Sequence, residues 1–276
     1  MSSLFVTIMR FLVVGATGMT GRHVVRLLLE KNCSVRVIVR REGVIDNHEN
    51  LEVVKANLLD LSDSDLDTYT KDCDGVISCL GHVMSFSGIW GQPRDLVTKA
   101  IKRLSESFQR IKIGENDTNT NTDGTSNVRK IILMNTVGVT VNDEKRSVFD
   151  NCLLCCIRSA LPPHRDNENA AAYLKSLSTD SEENEPNSVR LEWSVVRPDT
   201  LTDNDMITPY EVIPSPVTTI ANGSDTHRIN VADFMVGLAL NERSQWEEWR
   251  YRFPVIMNKK GDQTDEKKDG DQKAWE

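Results

Sequence analysis

VVGATGMTGRHVV, residues Val13 to Val25, is the stretch from which the fold can be predicted. Gly15, Gly18 and Gly21 stand here between an apolar run and an amphipathic one. Glycine loses more conformational freedom on folding than any other residue, so this cluster needs a structural reason. The flanking patterns predict a buried strand before the turn and a helix after it. Such a turn presents backbone N–H groups and a positive helix end to a pyrophosphate.

The spacing of the three glycines matches a dinucleotide-binding turn. In that turn Gly15 allows the tight bend, Gly18 lets the phosphates approach the backbone, and Gly21 lets the helix pack closely on the strand. The alternative is a tight strand–helix turn that binds nothing.

The end of the second predicted strand indicates which dinucleotide is bound. An acidic residue about 20 positions beyond the glycines would bind the ribose hydroxyls of NAD. Arg40 and Arg41 occupy that region instead, followed by Glu42. Two guanidinium groups match a 2′-phosphate in charge and geometry, so NADP(H) is the predicted cofactor. The alternative is a pair of solvated arginines at a strand end.

Length and composition favour one large domain or one domain with a small lobe. The chain has 276 residues, a hydrophobic share of 39% and a formal net charge of −8. It contains no apolar run of membrane length, and it has no concentrated basic stripe for nucleic acid. The beginning of the chain does not read as a signal peptide, so the expected location is the cytoplasm.

Six cysteines are expected to be reduced thiols, mostly in the core, rather than a disulfide framework. The run CLLCC, Cys152 to Cys156, has no second Cys/His pair at a suitable spacing. It is expected to form a buried apolar helix, and no metal site is predicted.

Strand-like and helix-like segments alternate, which predicts an α/β, doubly wound parallel-sheet Rossmann fold of six or seven strands. The NAD(P)-binding Rossmann domain is expected over residues 1–258, with a small C-terminal substrate lobe mainly over 198–258. Arg228–Leu240 predicts a short strand and then a helix, and Tyr251–Asn258 predicts a last edge strand. Residues 114–127 and 178–188 are expected to be polar surface insertions, and 259–276 a disordered charged tail.

The motifs GATGMTG, VIVRRE, CLGH, ILMNTVGV and EWSVVRP resemble the atypical short-chain dehydrogenase/reductase superfamily. Within it the chain is similar to NmrA-like and flavin- or biliverdin-reductase-like NAD(P)-binding proteins. The resemblance implies that Asn57 and Leu58 lie beside the adenine, although relatives often carry Asp where Asn57 stands. It implies that Gly81 lies under the ribose and Pro198 beside the nicotinamide. The residues predicted to bind the cofactor are Gly15, Thr17, Gly18, Met19, Gly21, Arg40, Arg41, Asn57, Leu58, Gly81 and Pro198.

Many members of the superfamily protonate a carbonyl oxygen with a Tyr-x-x-x-Lys pair and a Ser. Tyr173 and Lys175 are only two positions apart, so they point to different faces of a helix. The expected Tyr and Lys positions fall near Pro163 and Asn167, and the pair is absent.

The candidate catalytic residues are Asn135 and Thr136, where the Ser would stand, and His164. His164 could donate a proton near neutral pH. Alternatively, its segment, Leu161 to Asn169, is a helix start that begins with proline and is capped by Asp166 and Asn167. His82 is a weaker candidate than these. The apolar, aromatic stretch from Gly81 to Val97 would suit a planar substrate or pack on the core.

The predicted function is reduction of a planar small-molecule acceptor, such as a flavin, biliverdin or a quinone, by NADPH. Hydride transfer to such acceptors can rely on orientation, with protons from water. One alternative is a non-catalytic NmrA-like NADP(H) sensor that acts on a protein partner. Another is an epimerase or dehydratase relative, which the missing Tyr/Lys pair disfavours.

Overall fold

The computed structural model describes residues 8–41, 45–82, 90–111, 128–140, 147–177, 189–214 and 224–259. Eight strands form one sheet in the order β3-β2-β1-β4-β5-β6-β10-β8. The first seven run parallel, and β8 joins β10 in an antiparallel pair. The strands of this sheet are β1 Arg10–Val14, β2 Ser34–Val39, β3 Leu51–Lys55, β4 Gly75–Ser78, β5 Val128–Met134, β6 Arg190–Pro198, β8 Tyr210–Ile213 and β10 Val255–Asn258. The predicted doubly wound parallel sheet is confirmed.

Helices cover both faces of this sheet, because its central strands are apolar on both sides. On one face α1 (Gly21–Glu30) packs against α6 (Arg228–Leu240). The other face carries α2 (Asp63–Thr70), α3 (Leu96–Arg110) and α5 (Pro162–Leu177). Two further helices are α4 (Val148–Ala160), which contacts α5, and the short α7 (Gln245–Trp249).

The C-terminal part differs from the sequence-based expectation in two ways. The strand predicted to form the edge is not the edge, because β8 pairs with β10 on its outer side. No strand begins at Arg228, where α6 already starts, and the strand β9 (Asp225–His227) comes before it. β9 pairs with β7 (Thr200–Thr202) in a small second sheet. These short, half-polar strands lack a periodic apolar pattern long enough to predict them.

The cysteines divide into two groups. Cys33, Cys73 and Cys79 are buried, and burial raises the pKa of the Cys73 and Cys79 thiols to about 12. The prediction of a buried helix for the CLLCC run is wrong, because α4 lies at the surface and exposes all three of its cysteines. Among the side chains of α4 that the structure describes, Asp150 and Leu154 are buried.

Within the described residues, no helix combines the length and apolar character that spanning a membrane requires. The same residues contain no group of three or more His, Cys, Asp or Glu side chains arranged to hold a metal ion. The predicted insertions at 114–127 and 178–188 lie outside the described residues, as does all but the first residue of the predicted tail.

Candidate cofactor and active site

The glycine turn between β1 and α1 is locked against the end of β4. Gly15 has φ +76°, in the left-handed region that favours glycine. A Cβ on Gly15 would lie 2.5 Å from the carbonyl carbon of Cys79, and one on Gly21 would collide with the carbonyl oxygen of Gly15. The amide of Gly18 donates to the Gly15 oxygen over 3.0 Å. Both Gly15 and Gly21 are therefore required by backbone packing alone.

The outer part of the turn is open to solvent. Thr17, Gly18 and Met19 are exposed, and Met19 keeps 46% of its surface accessible. Thr20, the N-cap of α1, makes no side-chain capping bond, and the first turn of α1 carries no acidic residue. A helix start with no side-chain cap and no acidic residue in its first turn leaves its positive end available to a pyrophosphate. The turn thus meets the steric and electrostatic requirements of a dinucleotide.

The ends of β2 and β3 lie side by side in the sheet. Arg40 and Arg41 follow β2, are exposed, and form no ion pair with a described residue. After β3, Asn57 is exposed, and its amide donates to Asp60 Oδ2 over 2.7 Å. Leu58 is buried, and its carbonyl accepts a 2.8 Å hydrogen bond from Arg103 of α3. The predicted adenine-side residues therefore belong to a segment that α3 holds in place.

Two more predicted residues follow strands at the same edge of the sheet. Gly81 comes after β4 and is exposed, and a Cβ on it would meet no atom of the described part of the chain within 4 Å. Pro198 ends β6 and is buried, and its carbonyl accepts from the amide of Val137 over 3.0 Å. In open α/β sheets ligands bind at the carboxyl ends of the strands, which is where these residues lie.

The side chains after β5 are engaged in local hydrogen bonds. Buried Asn135 donates from Nδ2 to the carbonyl of Asn167 over 3.0 Å, and its Oδ1 accepts from the amide of Thr136 over 2.9 Å. The hydroxyl oxygen of Thr136 accepts from the amide of Gly138 over 3.3 Å. Asn135 thus joins the end of β5 to α5 at Asn167.

His164 lies in the first turn of α5, with its side chain only 8% exposed. Nε2 of its ring is 3.4 Å from Glu168 Oε1, and the ring packs on Gly138, where an added Cβ would come within 3.1 Å of Cε1. Glu168 also receives a hydrogen bond of 2.7 Å from Arg158. The catalytic role of His164 stays a prediction, and it would have to be exerted from a buried ring.

Asp166 has a structural role that local sequence reasoning did not find. It was interpreted as a cap of its own helix, but it caps α3, accepting from the amides of Val97 and Thr98 over 2.8 and 2.9 Å. The Thr98 hydroxyl donates to the same carboxylate over 2.6 Å. His82 Nε2 lies 2.9 Å from Asp166 Oδ2, which ties the end of β4 to α5. This contact joins residues that are 84 positions apart in the chain, so no local sequence pattern predicts it.

The predicted substrate-side loop is described only in part. Met84, Phe86 and Ile89 lie outside the described residues. Trp90 is described, and 44% of its surface is exposed.

A protein family described as NAD(P)H-binding matches residues 15–242. The chain belongs to this NAD(P)H-binding family. The match begins at Gly15 and spans the sheet through α6, so the predicted resemblance to the atypical superfamily is confirmed at the level of NAD(P)H binding. NAD(P)H is therefore the cofactor class of the family to which the chain belongs.

One curated relative of this NAD(P)H-binding protein is a candidate dihydroflavonol 4-reductase from Synechocystis sp. The two are 33% identical over 90 residues, which is 33% of this chain and 25% of the relative. The match thus spans about a quarter of the length of that relative.

Among the solved structures that share the fold are the following two. The anaerobillin reductase ChuY from Escherichia coli O157:H7 is 14% identical, with a TM-score of 0.58 over 91% of this chain and 97% of the other. A candidate NADH-flavin reductase from Streptococcus pneumoniae is 17% identical, with a TM-score of 0.59 over 91% of this chain and 100% of the other.

Proposed function

We propose that this protein uses NADPH to reduce a planar acceptor, such as a flavin, biliverdin or a quinone. The observation that supports the proposal is which residues stand at the reaction edge, meaning the carboxyl ends of β4, β5 and β6 with the first turns of α5. Pro163 and Asn167 stand at the Tyr and Lys positions, and the Asn167 carbonyl holds Asn135. A carbonyl substrate would need a strong proton donor here, whereas a conjugated planar acceptor does not.

Bound NADPH would supply the hydride, and water would supply the proton that completes the two-electron reduction. The contribution of this chain is then to bind and orient the two reactants. The glycine turn receives the pyrophosphate, and Pro198 and Gly81 shape the edge on which the nicotinamide rests. Orientation of bound reactants alone can contribute several kcal/mol to lowering a barrier, about 7 or more in the best intramolecular cases.

The preference for NADPH over NADH is part of the same proposal. Arg40 and Arg41 stand at the end of β2 without an acidic partner among the described residues. Guanidinium groups bind phosphate through paired, charge-assisted hydrogen bonds, which the free 2′-hydroxyl of NADH does not offer.

The same reaction edge also suits a protein that binds NADP(H) without turning it over and reports the redox state to a protein partner. One experiment separates the two functions. NADPH absorbance is followed with flavin mononucleotide, biliverdin and a soluble quinone, and NADPH affinity is measured by calorimetry. Oxidation of NADPH with any of the three supports the reductase. Tight NADPH binding without oxidation by any of them supports the sensor and rejects the reductase.

A further inference from the structure

A cavity of about 490 Å³ lies against the first turns of α3 and α5. This volume falls within the range of small-molecule binding sites, about 300–1,000 Å³. Its wall includes Trp90, Gln92 and Arg94 from the segment before α3, together with Arg165 and Asn169 from α5. Trp90, Gln92 and Arg94 belong to the stretch from Gly81 to Val97 that the sequence offers to a planar substrate, whereas Arg165 and Asn169 are new site residues.

Two guanidinium groups of this cavity are available to a ligand, because the acidic groups that line it are already paired. The carboxylate of Asp166 is occupied by His82 and the start of α3, and Asp95 is paired with Lys99 over 3.1 Å. By contrast, Arg94 and Arg165 are exposed and form no ion pair with a described residue. The cavity therefore presents a net positive charge in a form that matches carboxylate or phosphate.

The same wall also offers a flat apolar surface. Trp90 is one of the few large hydrophobic side chains that the described part of the chain exposes. An indole ring stacks well on planar aromatic systems, and such contacts are worth about 0.5–1.5 kcal/mol beyond the buried area. The side-chain amides of Gln92 and Asn169 add donors and acceptors at the rim. A flat ring system that carries an acidic group fits this combination.

The cavity is connected to the reaction edge through α5 and His82. Pro162 and Asp166 line the cavity, while His164 and Asn167 contact the segment after β5. His82, bonded to Asp166, directly follows Gly81 at the end of β4. A ligand in the cavity therefore lies beside the edge at which the acceptor is expected.

We infer that Arg94 and Arg165 bind the acidic group of the acceptor and that Trp90 stacks on its ring system. The protein then selects planar acceptors with a phosphate or carboxylate group over neutral ones such as quinones. This inference rests on the proposed function, because it assigns the cavity to the acceptor of that reaction.

Calorimetry without NADPH tests the cavity with two pairs of probes. Flavin mononucleotide and riboflavin differ only in a phosphate, and biliverdin carries two free carboxylates where its dimethyl ester carries two neutral methyl esters. We expect the wild-type protein to bind the charged probe of each pair about tenfold more tightly. This fold-change corresponds to the free energy of one charge-assisted hydrogen bond near a surface. Equal affinities within both pairs would overturn the inference.

The double variant Arg94→Gln/Arg165→Gln should bind both members of a pair equally. Both arginines are exposed, so its thermal unfolding should match that of the wild type. The control is Arg26→Gln, an exposed arginine of α1 on the opposite face of the sheet, which should keep the preference. A double variant that is folded and still prefers the charged probes would assign the selection to other residues.

NADPH oxidation separates this inference from the proposed reductase function. Oxidation as efficient with riboflavin as with flavin mononucleotide would support the reductase and overturn the selection by charge. A binding preference for the charged probes without any oxidation would support the anion-binding cavity and reject the reductase.

Discussion

His82 Nε2 and Asp166 Oδ2 lie 2.9 Å apart and join the end of β4 to the first turn of α5. The Asp166 side chain is 0% exposed, and its carboxylate also accepts hydrogen bonds from the Val97 and Thr98 amides in the first turn of α3. Three elements that border the candidate site thus meet at one buried carboxylate. The position of α3 relative to the strand ends depends on this residue.

The substitution Asp166→Ala should destabilise the protein by about 2–4 kcal/mol. It removes the cap of α3 and leaves the Val97 and Thr98 amides without a partner, a loss typical of buried charged networks. Urea unfolding measures the change. The matched control is Asp72→Ala, whose carboxylate is 61% exposed and 3.7 Å from Arg10, so its effect should stay within about 0.5 kcal/mol. Equal, small losses in the two variants would contradict the assigned role of Asp166.

Lys130 should make stability depend on pH above neutrality. Its ammonium lies in the protein between the α6 carbonyl of Ala239, 2.9 Å away, and the ring of Trp246, and burial lowers its pKa to about 8. An unfolded lysine has a pKa of about 10.4. Between these values the unfolded chain binds more protons than the folded one, so the contribution of Lys130 to stability rises with pH.

The comparison with Lys130→Met isolates this effect. The wild-type free energy of unfolding minus that of the variant should rise by about 2 kcal/mol from pH 8 to pH 10. The thiols of Cys73 and Cys79 act in the opposite direction above pH 9, because their folded pKa is raised, but they are present in both proteins. A difference that stays flat over this range would show that the Lys130 ammonium is well solvated.

Gly81 tests the placement of the cofactor over the end of β4. Gly81→Ala adds a methyl group that meets no atom of the described residues within 4 Å, so thermal unfolding should be unchanged. If the ribose rests on this residue, the methyl group takes its space and NADPH affinity should fall about tenfold. Gly15→Ala is the contrast, because it puts a methyl group against the Cys79 backbone at positive φ and should destabilise the fold. Unchanged NADPH affinity in Gly81→Ala would place the ribose elsewhere.

The sequence predicts what short-range physics determines. The glycine spacing identifies the β1–turn–α1 unit. Gly15 and Gly21 are needed there because a Cβ on either would collide with backbone atoms of the turn or of the neighbouring strand end. Alternation of patterns then predicted the parallel sheet, since a strand–helix–strand repeat has few packed arrangements.

Long-range contacts are what the sequence could not predict. Asp166 was interpreted as capping the helix in which it stands, but its amide partners belong to α3. The local pattern of CLLCC favours a buried helix, yet all three cysteines of α4 are exposed. The same limit applies to the acceptor-side cavity, because Arg94 and Arg165 come together only through the packing of α3 on α5.

Arg40 and Arg41 carry the proposed cofactor preference. The double variant Arg40→Gln/Arg41→Gln should weaken NADPH binding by about tenfold or more while changing NADH binding little, because only NADPH has the 2′-phosphate. Arg26→Gln, in the exposed pair with Glu30, is the control and should affect neither. Affinities measured by fluorescence titration that fall equally for both dinucleotides would reject the assignment.

His164 gives the sharpest test of the catalytic prediction, because its ring is buried. We expect His164→Ala to lower the free energy of unfolding by about 1–3 kcal/mol, since the ring packs on Gly138 and pairs with Glu168. If His164 is also the only proton donor, kcat should fall by roughly 10²-fold with NADPH affinity unchanged. His164→Gln keeps part of the volume and a hydrogen-bond donor, so it should recover stability without recovering proton transfer. Kinetics of both variants, measured well below their melting temperatures, then separate the roles. A kcat that stays within about threefold in both variants would make His164 a packing residue and leave protonation to water, as the proposed acceptors allow.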